Sequence, residues 1–267
     1  SSAAWGAETM RTLTILILAA VLVTAAVFAG CSGTTTKSTY SVDDKGLLSV
    51  TCVPATASVE VLASNETYTK SKIILHTQSG DVITYLAAPS TPKAAIVYVP
   101  GAGEKLAGHE KRMVTYAAAG YAFLFVDTRG NGGETAGVPF GQQMIQQDFS
   151  AFRSGEWPQY YLTICDLINA RQYLSDRFSV PVYAMGSSNG GRYAAIAAGV
   201  DPSFAGYVGI STSDWGVLES VTANGNTGDP VRFATSLEPS TYLPEIAPRP
   251  VWMYHNATDP IIPFASG

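Results

Sequence analysis

Short runs without a charged residue alternate along this chain with stretches whose apolar positions recur at helical spacing. Ala94–Val99 (AAIVYV), Tyr121–Val126 (YAFLFV), Val182–Met185, Tyr207–Ile210 and Val251–Tyr254 are continuous apolar runs. Such runs fit strands buried on both faces. Between them, Glu110–Ala119, Tyr161–Phe178 and Asn189–Val200 read as helices, the first closed by Gly120. Upstream, Ser58–Leu62, Ser71–His76 and Val82–Leu86 read as further strands, with a turn signal at Ser79-Gly80-Asp81. The alternation predicts an α/β fold, a mostly parallel central sheet with helices on both faces. Two turn-rich stretches, 131–158 and 211–248, interrupt it and hold Phe140, Phe149, Trp157, Trp215, Phe233 and Tyr242. They are expected to be long loops that act as lids or binding surfaces.

The N-terminal pattern differs. Leu13–Gly30 carries no charge and follows Met10-Arg11. A short basic start, an apolar stretch and small residues at its end describe a secretory signal, so residues 10–30 are expected to be a signal peptide. Residues 1–9 then form an upstream remnant. The run ends Phe28-Ala29-Gly30-Cys31, which resembles the lipobox of prokaryotic lipoproteins. That resemblance implies a lipid on Cys31 and an extracytoplasmic protein tethered to the cell membrane. An uncleaved membrane-spanning helix and a freely secreted form are the alternatives. Residues 31–46, rich in Ser, Thr and Gly, read as a flexible spacer before the main domain over 47–267.

Composition narrows the function. Of the 267 residues, 46% are hydrophobic and 14% charged, enough to bury a sizeable core. The net charge is −5 and no basic stretch is present, so nucleic acid is excluded as a partner. Three cysteines make no disulfide framework. Cys52 and Cys165 pair only if the fold brings them together, and are expected to be small buried thiols. The histidines are scattered and the cysteines lack ligand spacing, so no metal and no cofactor are expected.

The strongest chemical signal is Gly186-Ser187-Ser188-Asn189-Gly190. It fits G-x-S-x-G between an apolar strand and an Ala-rich helix, the setting in which a serine sits on a sharp turn and faces a helix N-terminus. From about Asp81 onward the chain resembles the α/β-hydrolase superfamily, nearer to its esterase, dienelactone-hydrolase-like and prolyl-oligopeptidase-like members. The resemblance implies that Ser188 is the nucleophile. Val97-Tyr98-Val99-Pro100-Gly101-Ala102-Gly103 resembles the family's oxyanion turn, with Pro100 where a histidine is usual. It implies oxyanion donors at the Ala102 and Asn189 N–H groups. Asp127-Thr128-Arg129-Gly130-Asn131-Gly132 resembles the family's D-x-R-G-x-G turn and is expected to fix a loop rather than react. His255-Asn256-Ala257-Thr258-Asp259 resembles H-G-x-x-D and implies Asp259 as the acid of a catalytic triad, with Asp214 as the alternative.

A serine hydroxyl needs a base, and in this family the order is Ser, then Asp, then His. His76, His109 and His255 all precede Asp259. The family adds a helix, a strand and a histidine loop at this point, so the hydrolase fold is expected to be C-terminally incomplete and the given chain inactive alone. A relocated base at His109 is the lesser alternative. The expected function is hydrolysis of small-molecule carboxylic esters through an acyl-enzyme on Ser188. The alternatives are a peptidase of the same fold, or a non-catalytic, surface-tethered binding protein on a degenerate hydrolase fold.

Overall fold

The computed structural model describes residues 37–264. The expected upstream remnant, signal peptide and lipidated Cys31 lie outside the described residues. The strands are β1 (Thr39–Val42), β2 (Leu48–Thr51), β3 (Thr56–Ser64), β4 (Thr69–Thr77), β5 (Gly80–Ala88), β6 (Ala94–Val99), β7 (Tyr121–Val126), β8 (Val182–Ser187), β9 (Tyr207–Ile210) and β10 (Val251–Tyr254). The helices are α1 (Glu110–Ala118), α2 (Gln142–Ser154), α3 (Gln159–Phe178), α4 (Asn189–Val200), α5 (Val217–Ala223), α6 (Asp229–Leu237) and α7 (Leu243–Ile246).

Eight strands form one sheet in the order β10-β9-β8-β6-β7-β5-β4-β3. The five from β10 to β7 are parallel to one another, and β5, β4 and β3 continue the sheet antiparallel. The expected fold class holds. The apolar runs are explained by two cores. Ala95, Val97 and Val99 face a large core with α3 and α4, while Ile96 and Tyr98 face a smaller one with Met113 and Ala117 of α1. The central strands β6 and β7 therefore bury both faces, which hides the period of two. On the α1 side the cover stops short. Val208, Ile210, Tyr183, Trp252 and Tyr254 line an open apolar groove of about 670 Å³, and Tyr254 is 61% exposed.

The chain enters the parallel region at β6, moves to β7 on one side, then crosses to β8 on the other. The strand order thus reverses between β6 and β8, and the crevice beyond their carboxyl ends is where such sheets hold ligands. Gly101–Glu104 follows β6, and Ser188 follows β8.

Three expectations need correction. The stretches 131–158 and 211–248 are not structureless loops, because they contain α2, α5, α6 and α7. Helix α2 (QQMIQQDFSAFRS) buries Met144, Asp148 and Phe152, a stripe at spacing four whose middle member is a charge and escapes hydrophobic periodicity. Thr39–Val42, within the expected spacer, is strand β1. Its Tyr40 ring lies 5.0 Å from Trp157 and 5.1 Å from Tyr161, so this hairpin is packed rather than free. Finally, Cys52 and Cys165 are joined as a disulfide, with Cα atoms 5.6 Å apart. The β1–β2 hairpin lies over α3 and brings the two thiols together, and Ala55 N–H donates to Asn169 Oδ1 of the same helix at 3.1 Å.

Candidate active site

Ser188 leaves β8 with φ 50 and ψ −122, one of three non-glycine residues at positive φ among the described residues. That turn is possible only with bare neighbours. A Cβ on Gly190 would stand 2.2 Å from the Val99 carbonyl oxygen, and one on Gly186 would stand 2.3 Å from that of Gly190. The backbone is held from both sides: Ser188 N–H donates to Ile210 O at 2.9 Å, and Thr212 Oγ1 donates to Ser188 O at 2.8 Å. Helix α4 begins at Asn189, so its N-terminal amides lie next to the serine, where the helix dipole favours negative charge.

The facing turn is Gly101–Glu104, closed by Glu104 N–H to Gly101 O at 3.1 Å. Asn131 clamps it. Its Nδ2 donates to Gly101 O at 3.2 Å and Glu104 O at 2.9 Å, and its Oδ1 accepts Gly103 N–H at 2.8 Å. The Gly101 N–H is taken by Glu104 Oε2 at 2.6 Å. Among the described residues, no acceptor takes the amides of Ala102 or Asn189, the two expected donors. The Asp127 turn acts as a loop anchor. Asp127 Oδ2 accepts the N–H groups of Glu134 and Thr135, while Arg129 grips the buried Asp166 at 2.7 Å.

Asp259 lies in the loop after β10, two strands from Ser188 on the same rim. Its Oδ1 accepts Ile261 N–H at 2.9 Å and Ile262 N–H at 3.0 Å. These amides, with the Ser211 hydroxyl, hold its carboxyl below the usual carboxylate range. The Ser211 hydroxyl helps to lower the Asp259 pKa, and the adjacent Thr212 donates to Ser188 O, so two consecutive residues link Asp259 to the Ser188 turn. Asp214, the alternative acid, accepts Ser240 N–H at 2.8 Å and fixes its own loop.

None of the three histidines is hydrogen-bonded to Ser188. His76 pairs with Ser58 and Asp81 on the antiparallel strands. His109 lies 3.2 Å from Glu104. His255 Nε2 donates to Ile262 O at 2.7 Å and stands 4.0 Å from Asp259 Oδ2, closing the loop that shapes the acid. Sequence reasoning singled out Ser188, the turn after β6 and Asp259, and the structure places all three at the same rim of the sheet. It missed Asn131, Ser211, Thr212 and Glu104, whose partners lie far away in sequence or depend on side-chain direction. The Gly130-Asn131-Gly132 sequence after β7 was the one available hint, because Asn is a frequent turn clamp.

No protein-family profile matches the chain, and no curated protein matches its sequence. Solved structures do resemble it. An acetyl xylan esterase from Paenibacillus sp. R4 superimposes with a TM-score of 0.57 at 16% identity, over 76% of this chain and 83% of its own. Acetyl xylan esterase 1 from Thermoanaerobacterium sp. JW/SL YS485 also gives 0.57, at 14% identity, over 80% and 76%. An acylaminoacyl peptidase gives 0.53 at 15% identity, over 75% of this chain and 34% of its own. At these identities the likeness is one of fold.

Proposed function

We propose that this chain, whose architecture is the α/β-hydrolase fold, is a serine hydrolase that cleaves small carboxylic esters through an acyl-enzyme on Ser188. The observation that carries the reading is the strained Ser188 turn at the point where strand order reverses, facing the unengaged amides of Ala102 and Asn189. Attack by the Ser188 hydroxyl on an ester carbonyl would place the developing oxyanion between those amides. Each such donor is worth roughly 10²–10³ in rate. Asp259, held ionised, suits the part of orienting an imidazole and stabilising it once protonated.

Three esterase or peptidase structures of the same fold support a substrate with an acyl bond, and the ester is favoured because two of them are acetyl xylan esterases. A base is still required. None of the described histidines contacts Ser188, so residues 37–264 alone are expected to hydrolyse p-nitrophenyl acetate hardly at all. The same observation favours a second reading, a binding protein on a degenerate hydrolase fold.

Fluorophosphonate labelling separates the two readings, because only an activated serine reacts. The hydrolase reading expects one labelled site in the complete gene product, lost in Ser188→Ala. Labelling that persists in Ser188→Ala, or no labelling at all, defeats it.

The apolar Leu13–Gly30 segment, followed by Cys31, supports an extracytoplasmic protein anchored to the membrane through lipid. The Cys52–Cys165 bridge agrees, since structural disulfides persist in oxidising compartments. Metabolic labelling with an alkynyl fatty acid, compared with the Cys31→Ser variant, tests the anchor.

A further inference from the structure

The oxyanion turn carries a carboxylate that the reaction described above does not use. Glu104 folds back over the turn, and its Oε2 serves three partners: Gly101 N–H at 2.6 Å, Ser187 Oγ at 3.3 Å and His109 Nε2 at 3.2 Å. Among the described residues its Oε1 has no protein partner, and the side chain is 47% exposed. One oxygen is therefore anchored while the other faces solvent.

The anchor is firm. His109 is buried, and burial lowers its pKa against the opposing pull of Glu104. Arg112 lies 3.4 Å from His109 Nδ1, so the imidazole is neutral there and gives its Nε2–H to Glu104. Arg112 also bonds the Tyr98 hydroxyl, which stands 2.9 Å from Ser187 Oγ. Among the described residues, His109 meets only the anchored oxygen, and Arg112 bonds Tyr98 and His109 rather than Glu104. The nearest lysine, Lys105, runs toward Gly132.

The Glu104 carboxyl lies beside Ser188. A Cβ on Gly101 would be 3.1 Å from the Glu104 carboxyl and 3.4 Å from Ser188 Cβ. Carboxylate and nucleophile thus flank one gap, kept open because residue 101 has no side chain. A substrate lying over Ser188 must pass this charge. A carboxylate accepts hydrogen bonds only, and a bond to a charged group is about twice as strong as a neutral one.

We propose that Glu104 is a specificity-determining residue of the Ser188 site, whose half-exposed carboxylate receives a hydrogen-bond donor on the substrate and whose charge rejects substrates bearing a carboxylate near the scissile bond. The substrate class is then an ester of a hydroxyl-bearing, uncharged compound. This rests on the reading of Ser188 as the reacting group.

The test measures binding in the full chain carrying Ser188→Ala, so that turnover plays no part. Glycerol monoacetate is compared with its dimethyl ether, and dimethyl succinate with monomethyl succinate, by ligand-observed NMR titration. The expected result is a preference of about tenfold for the hydroxyl ester and for the uncharged succinate. Adding Glu104→Gln should remove most of the discrimination against monomethyl succinate, and adding Glu104→Ala should remove the hydroxyl preference as well. The succinate discrimination should also weaken as salt rises. If Glu104→Ala fails to fold, the Glu104→Gln arm decides. Ratios unchanged by either substitution, or no measurable binding of any probe, overturn the proposal. Fluorophosphonate labelling of the chain with Ser188 intact reports on the hydrolase reading separately. Labelling with unchanged ratios defeats only the role of Glu104, and charge discrimination without labelling defeats only the hydrolase reading.

Discussion

Ser188 holds a backbone angle that costs a non-glycine residue roughly 1–3 kcal/mol, and the cost is local. Ser188→Gly is therefore expected to raise the melting temperature while abolishing labelling, a combination that a purely structural serine would not give. Asp148 is the second residue with a predictable signature. Burial pushes its carboxyl up to about 6, against the Tyr160 and Gln159 amides that pull it down. The folded state thus keeps the proton to a higher pH than the unfolded chain does. Stability falls as pH rises from about 4 to about 6, by up to about 3 kcal/mol. Urea midpoints at about pH 4.5 and about pH 7 should show this drop, and Asp148→Asn should flatten it. At this scale the sequence was readable where a residue's backbone conformation is set by its immediate neighbours. Ser188 between glycines is such a case. Glu104 is not, because its contact with Ser187 joins segments 83 residues apart.

Two turns and one helix determine the site at the level of elements. The elbow was legible because strand, glycines and helix are contiguous. The opposing turn was legible in outline, but what holds it was not. Asn131 reaches across from the loop after β7 with three hydrogen bonds. Asn131→Ala should leave the far-ultraviolet dichroism unchanged and slow fluorophosphonate labelling at least tenfold, since a loosened turn misplaces the Ala102 amide. Helix α2 was unreadable for a different reason. Its buried face includes Asp148, which satisfies the first amides of α3, and a charge there breaks the apolar period. The cysteine pair failed similarly, since a separation of 113 residues reveals nothing about distance in space.

The described residues are built on one eight-stranded sheet with unequal cover and a separate two-stranded hairpin. The alternation of runs and helices was enough to fix the class of architecture. The antiparallel flank, the packed hairpin and the position of each lid helix were set by tertiary contacts with no local signature. The disulfide ties that hairpin to α3 and closes a long loop. Its reduction, or the Cys52→Ser/Cys165→Ser pair, should cost about 3–5 kcal/mol, read as a lower urea midpoint. The α1 face, in contrast, leaves Trp252, Tyr254 and their neighbours open to water among the described residues. A particle with one adhesive side does not behave as an ideal solute. Its osmotic pressure will fall below that of a hard sphere of equal size as crowding increases, and fastest near pH 5.2, where like charge no longer keeps copies apart.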